Sequence, residues 1–355
     1  MQQPDRDEIL KFISDLGFVA GGVAPAIATV YESEYLSWLA EGQHGQMNYL
    51  ERHIDVRMDP RVLLPGAKSI ICVADRHAQH SRLKQSDEPL ESPQGRRGKV
   101  ARYAQGKDYH KIIKRRLFRL VDWLKENFVE AEFKVCVDTA PLLEREHAQR
   151  AGLGSVGKNT LLLRPGEGSY LLLGAVVTTL EIEPTKFEPE DPCGSCTRCI
   201  DACPTEAIKP WSVDASRCIS YLTIEHRSSI EESFYAPMGD WIFGCDVCQE
   251  VCPHNQPTRR SSHLASYADY EPVNRDFDLL EVLGWDALDR QKAFKSSSMK
   301  RARLDMMRRN AVILAGNEAN AQPALVDRVT VIANDSKEDV LVREAARNTI
   351  ERCGW

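Results

Sequence analysis

The 355-residue chain lacks any apolar run approaching the ~20 residues that a membrane helix needs. It also lacks a basic, apolar leader. Its first stretch, MQQPDRDEILKFISDLG, is acidic and amphipathic, which argues against a secretory signal or transit peptide, so a cytoplasmic location is expected. There is no excess of positive charge either. Lys and Arg number 46 against 52 Asp and Glu, a balance of −6, and such a total by itself suggests no RNA partner. The composition of a disordered chain is missing as well: 43% hydrophobic and 28% charged residues suit a globular protein long enough for two or three cores. No strict internal period is visible.

Cysteine is what the chain does have. Eleven are present, eight of them between Cys193 and Cys252. In a reducing compartment such a cluster reads as metal ligands sooner than as disulfides. Cys193-Gly-Ser-Cys196-Thr-Arg-Cys199-Ile-Asp-Ala-Cys203-Pro204 spells C-x2-C-x2-C-x3-C-P, the bacterial ferredoxin run, whose fourth cysteine ligates the other cluster of a pair. Cys245, Cys248 and Cys252-Pro253 repeat its last three positions. The first position of that repeat falls on Ile242, which cannot bind iron, and Cys218 is the remaining cysteine available in the block. The expected sets are Cys193, Cys196, Cys199 and Cys252 for one [4Fe–4S] cluster, and Cys203, Cys218, Cys245 and Cys248 for the other. Structural zinc is the alternative, since it also favours C-x2-C pairs. The two C-x3-C-P turns favour iron–sulfur. Cys72, Cys136 and Cys353 are expected to be ordinary thiols.

Around this block the periodicity divides the chain. Residues 5–16 and 109–128 read as amphipathic helices, and 69–74, 133–137 and 170–180 as strands covered on both faces. The expected fold is α+β and multidomain. Residues 1–185 form an α/β domain with a central sheet, 186–255 a two-cluster ferredoxin-like module, and 256–355 a helical region with helices near 296–314, 322–334 and 337–353. A Pro- and Glu-rich stretch near 181–192 marks the first boundary.

The chain resembles the epoxyqueuosine reductases of tRNA modification. The resemblance is carried by VDTAPLLEREHAQRAGLGSVGKNT (137–160), RYAQGKDYHK (102–111), LPGAKSI (64–70), the CGSCTRCIDACPT run, RCISYLT and GCDVCQEVCPHN, in the same order over nearly the whole length. It implies a nitroreductase-like N-terminal domain that binds cobalamin, two [4Fe–4S] clusters and a HEAT-like helical C-terminal part. It also implies reduction of epoxyqueuosine at the tRNA wobble position to queuosine, the last step of queuosine biosynthesis. By resemblance the proton donor falls on Asp138, and the cobalamin contacts on Arg57, Asp138, Lys158, Asn159, Ser169, Ser220 and Asp246. An external donor such as a ferredoxin or flavodoxin supplies the electrons, and the protein is expected to be a monomer.

Read from the residues, Asp138 follows a strand at its C-terminal end, where α/β sheets present functional groups. A carboxylic acid there suits donation of a proton to the departing epoxide oxygen. Its other reading is as the cap of a helix at 141–150. Gly152-x-Gly154-x-x-Gly157 imitates a dinucleotide fingerprint but follows a helix instead of opening one, so its glycines are expected to end that helix and to let backbone approach a large cofactor. Asp75-Arg-His77-Ala-Gln-His80 matches the first half of D-x-H-x-x-G without its glycine. It reads as a solvated loop, and a base-off cobalamin without a histidine ligand is expected.

The total of −6 conceals segregation. Residues 96–119 carry +9 and 292–309 carry +6, leaving −21 elsewhere, the pattern of a basic groove on an acidic body. Expected tRNA contacts are Arg102, Lys107, Tyr109, His110, His226, Arg227, Lys300, Arg301 and Arg308, with Tyr103, Tyr109 and His110 as stacking candidates. A reductive dehalogenase shares the cofactors but leaves the basic segments unexplained. A simple electron carrier needs no ~180-residue N-terminal domain.

Overall fold

The computed structural model describes residues 4–78, 91–92, 95–256, 267–318 and 321–355. The strands that position the site are β1 (Ala20–Pro25), β2 (Ser69–Arg76), β3 (Gly95–Val100), β4 (Phe133–Cys136), β5 (Leu171–Thr178), β6 (Trp241–Phe243) and β7 (Asp276–Asp278). The helices are α1 (Arg6–Asp15), α2 (Tyr109–Asn127), α3 (Glu144–Arg150), α4 (Ile219–Ile224), α5 (Leu304–Ala315), α6 (Pro323–Asn334) and α7 (Val340–Cys353).

Strands β1, β2, β5 and β4 form one sheet in that order, and every pairing is antiparallel. The runs are apolar because both faces are covered. Ile71, Val73 and Val176 pack with α1 and α2 in one core, whereas Ile70, Cys72, Ala74 and Val177 pack with Ala148 and Ala151, in and just after α3, in another. Adjacent residues of β2 thus serve opposite cores, as the two-residue period of a strand requires. The rule about C-terminal ends of parallel strands therefore does not explain where Asp138 lies.

A second sheet overrides the linear order. Strand β3 is flanked by β6 (parallel) and β7 (antiparallel), so the N-terminal third, the cysteine block and the C-terminal region share one ladder. Their apolar residues share one core, in which Val100, Ala101 and Ala104 pack with Leu222, Ile242, Met307, Val312, Leu325 and Val342. Ile242, where the ferredoxin pattern fails, is a fully buried member of that core. In the C-terminal region α5 and α6 both pack on α7.

Residues 75–77 are no solvated loop. Asp75, next to last in β2, is fully buried; it pairs with Arg116 of α2 and accepts a 2.8 Å hydrogen bond from the Tyr270 hydroxyl. His77 is also buried, with its ring edge-on to Tyr170, and burial lowers its imidazole to about 3. The cause is that β2 runs two residues further than its apolar stretch, and Arg116 compensates the buried carboxylate. His80 lies outside the described residues.

Candidate functional site

Asp138 follows β4 in a left-handed conformation (φ +55°) that an L residue seldom adopts. Its backbone N–H donates to Glu144 Oε1 at 2.7 Å, across the turn that leads into α3. Its side chain does not cap that helix, which starts only at Glu144 with Leu143 at the N-cap. The carboxylate instead lies with Oδ2 3.0 Å from His110 Nε2 and keeps 58% of its side-chain surface open. On the far side of the imidazole, Nδ1 stands 2.8 Å from Asp108 Oδ1, and Asp108 is itself held as the N-cap of α2. The Tyr109 ring stacks on that imidazole with centroids 4.0 Å apart, and the Tyr109 hydroxyl bonds Asp138.

These contacts set the protonation states. Burial tends to raise the Asp138 carboxyl, yet the hydrogen bond and charge of His110 prevail and hold it below its ordinary value. Burial tends to lower His110, but its bonds to Asp108 and Asp138 hold it up to about 9. Burial and the Asp138 charge push Glu144 up to about 8. At neutral pH the arrangement is a carboxylate against an imidazolium, with a neutral acid beside it.

Tyr49, Arg57, Glu225 and Arg301 come from separate segments; Tyr49 lies within electrostatic reach of the other three and of Asp138, and Arg301 also acts on Asp138. The Arg301 guanidinium lies 4.9 Å over the exposed Tyr49 ring and pairs with Glu225. Among the described residues the buried Nε of Arg57 has no hydrogen-bond partner. These side chains gather around Tyr49 beside the exposed Asp138 carboxylate. Buried Asp246 adjoins it through Tyr103, accepts from the Arg102 N–H at 2.7 Å, and is raised to about 6 by burial. Ser220 is half-buried near the start of α4.

Cys193, Cys196, Cys199 and Cys252 ring one cavity of about 220 Å³, together with Asn159, Pro192 and His254. A single zinc ion would draw four sulfurs to ~2.3 Å of one point, so the cavity suits a larger inorganic core. The backbone N–H of Lys158 points at Cys193 Sγ at 3.4 Å, and Lys158 Nζ binds the carbonyls of Gly194 (2.6 Å) and Cys196 (3.1 Å). Ser169 donates its N–H to Asn255 Oδ1 at 2.7 Å and its hydroxyl to Gln249 at 3.0 Å, close to Cys252. Cys203, Cys218, Cys245 and Cys248 form a second group. Burial raises the thiols of Cys218, Cys245 and Cys248, and the charges of others in the group raise them further. The Ala207 N–H points at Cys203 Sγ at 3.3 Å.

Among the glycines, Gly152 (φ +80°) follows α3 as expected. The close approach at Gly154 is to the chain itself, because an added Cβ would lie 2.4 Å from the Leu163 carbonyl oxygen.

Several expected RNA contacts are engaged elsewhere. Tyr109 is buried in the core of the first sheet, so its face is not available to a base. His226 is bonded to the Tyr221 hydroxyl and the Ser229 carbonyl, Arg227 reaches Met306, and Arg308 makes two bonds to Glu338. In the first basic segment Arg96 and Lys99 meet Asp240, Arg97 meets Asp276, Arg102 meets Glu250, and Lys107 and Arg115 meet Asp269. Six of its ten cations are thereby paired with four acids distant in sequence, which lowers its +9 to +5. Lys111, Arg119 and Lys300 stay exposed.

A relative from Cyclobacterium marinum, named epoxyqueuosine reductase, is 38% identical over 320 residues, which covers 88% of this chain and 97% of the relative. The chain belongs to the epoxyqueuosine reductase family. It is an oxidoreductase. The Escherichia coli member is 36% identical over 85% of this chain and 78% of its own length. A family model described as epoxyqueuosine reductase QueG, DUF1730, matches residues 57–139, and one described as a 4Fe-4S double cluster binding domain matches 192–255. An epoxyqueuosine reductase crystallised with an epoxyqueuosine-modified tRNA-Tyr stem loop superposes with a TM-score of 0.85 at 28% identity, covering 98% of this chain and 90% of that one. A Bacillus subtilis member, solved with an aspartate-bearing catalytic loop swung out of its active site, gives a TM-score of 0.84 at 28% identity with the same coverage.

Sequence reasoning in this family member missed Asp108, Glu144, Tyr49 and Glu225. Asp108 had a local signal, an Asp directly before the apolar helix of 109–128. The others carry none, because each matters only through a partner from another segment.

Proposed function

We propose that the chain reduces epoxyqueuosine in tRNA to queuosine, using cobalamin and two [4Fe–4S] clusters, with Asp138 handing the proton to the epoxide oxygen. The observation that carries this reading is an open carboxylate whose surroundings reach, through Tyr103 and Asp246, the second of two four-cysteine groups. The clusters take the two expected cysteine sets. The ~220 Å³ cavity and the N–H groups aimed at Cys193 and Cys203 sulfur suit thiolate ligands, whose potential such bonds tune.

The residues present fit a corrinoid. Arg57 has a buried Nε without a partner among the described residues, its charge acts on Tyr35 and Tyr49, and the open face of Asp138 leaves a reacting group access to it. The proposed contacts are Arg57, Asp138, Lys158, Asn159, Ser169, Ser220 and Asp246. Of these, Lys158 and Ser169 also hold the cysteine loops and so tie the two sites mechanically. When bound, cobalamin supplies a reducible cobalt, fed by an external low-potential carrier through the clusters. Asp138 orients and protonates; Tyr109 and His110 fix its carboxylate. Helices α5, α6 and α7 are read as HEAT-like, and Lys300 and Arg301 as the RNA contacts nearest the site, with Lys111 and Arg119 on α2.

Purified without oxygen and loaded, the protein is expected to convert an epoxyqueuosine stem loop, read by nucleoside mass spectrometry. Asp138→Asn should retain iron and corrinoid while turnover falls by at least ~10²-fold. Full activity in that variant overturns the role of Asp138.

A further inference from the structure

We infer that the proton delivered at Asp138 is stored on His110, and that Asp108, His110 and Asp138 act as a relay; this rests on reading the chain as an epoxide reductase. The three groups form an unbroken line, with 2.8 Å from Asp108 Oδ1 to Nδ1 and 3.0 Å from Nε2 to Asp138 Oδ2. Only the Asp138 end opens widely to the site. Asp108 is immobilised as the α2 cap, and stacking on Tyr109 fixes the plane of the ring. The relay therefore has an anchored end and a delivering end.

The need for a reservoir follows from the charges around it. A carboxylate kept below its ordinary range is not an acid at neutral pH, whereas the imidazolium behind it is. The groups facing His110 are Asp108 and Tyr109 from the start of α2, Asp138 from the turn after β4, and Glu144 from the start of α3. Lys111 lies beside Asp108, and Arg301 acts on Asp138 from across the site.

The chemistry balances. An epoxide, two electrons and two protons give an alkene and water; two C–O bonds break and the second C–C bond forms. The electrons come from the external low-potential carrier. For the first proton, Nε2–H passes to Asp138 Oδ2, and the carboxylic acid so formed then gives that proton to the departing oxygen. Neutral His110 then keeps its Nδ1–H on Asp108. Reprotonation of Nε2 from solvent supplies the second.

The test begins on the cofactor-free protein. The His110 imidazole, assigned by its loss in His110→Gln, is followed by NMR from pH 5 to pH 10. Its midpoint should lie well above that of an ordinary histidine and fall in both Asp108→Asn and Asp138→Asn. In the loaded enzyme His110→Gln retains a donor toward Asp138 but carries no exchangeable charge. Its kcat should drop ~10²-fold at unchanged KM, and the alkaline limb of the kcat profile should vanish. A His110 midpoint at or below the ordinary value, or a Gln variant with wild-type rate and limb, overturns the relay. Failure of the parent reading is separate: the loaded wild-type protein would then convert no nucleoside, whatever the His110 midpoint.

Discussion

Asp138 is held at φ +55° by a backbone bond to Glu144, and its side chain is held by an imidazole, so its position is determined twice over. Backbone in this region costs ~1–3 kcal/mol and persists only where neighbours enforce it. The same neighbours make stability depend on pH. His110, held up to about 9 from 6.5, and Glu144, held up to about 8 from 4.5, both bind more protons folded than unfolded across those windows. Stability should therefore fall as pH rises from 4.5 toward 9 on account of these groups, with His110 acting only above 6.5. The urea midpoint of the cofactor-free protein should be lower at pH 9 than at pH 6.5, and the gap should narrow in His110→Gln. A midpoint that climbs over that interval contradicts the assignment. At this scale Asp138 was legible from the VDTAP segment. Glu144 was not, because a carboxylate that bonds a backbone N–H six residues earlier has no compositional mark.

Among the elements, the tight turn before β5 shows how local geometry reaches the cysteines. Gly168 has φ +75°, and a Cβ there would lie 1.9 Å from Asn255 Oδ1 and 2.8 Å from the His254 carbonyl. Asn255 in turn binds Ser169 on both its N–H and its hydroxyl, which seats the 253–255 turn that follows Cys252. Gly168→Ala should cost ~1–3 kcal/mol and lower iron retention in the first cluster before it affects the second. Thermal melting with iron analysis checks this; unchanged iron at a lowered midpoint would show that the turn supports only the fold. The strands were readable as apolar runs. Their antiparallel pairing was not, because a strand covered on both faces has the same composition in either direction.

Across the whole molecule, strand β3 pairs with β6 and β7, and Asp75, Arg116 and Tyr270 join the first sheet to residues beyond the cysteine block. A fragment ending at residue 185 would lose both flanking strands of β3 and the Tyr270 hydroxyl. It should show lower protease resistance and a broader thermal transition than the full chain, and a sharp transition of undiminished midpoint would refute this coupling. The same crossings redistribute charge, since four acids at 240, 250, 269 and 276 pair with six of the ten cations of the basic segment at 96–119. By itself the sequence determined the clustering of eight cysteines, the spans of α1, α2, α6 and α7 to within a few residues and the place of Asp138 just after a strand, because residue spacing and helical periodicity are local. The helix expected at 296–314, by contrast, starts only at Leu304. Only the tertiary structure decided which cations stay open to an RNA, that His110 serves the carboxylate instead of stacking on a base, and that three sequence regions share one core. Those outcomes depend on side chains well separated in sequence meeting in space, 28 residues for His110 and Asp138 and 144 for Arg96 and Asp240, and composition along the chain does not encode such meetings.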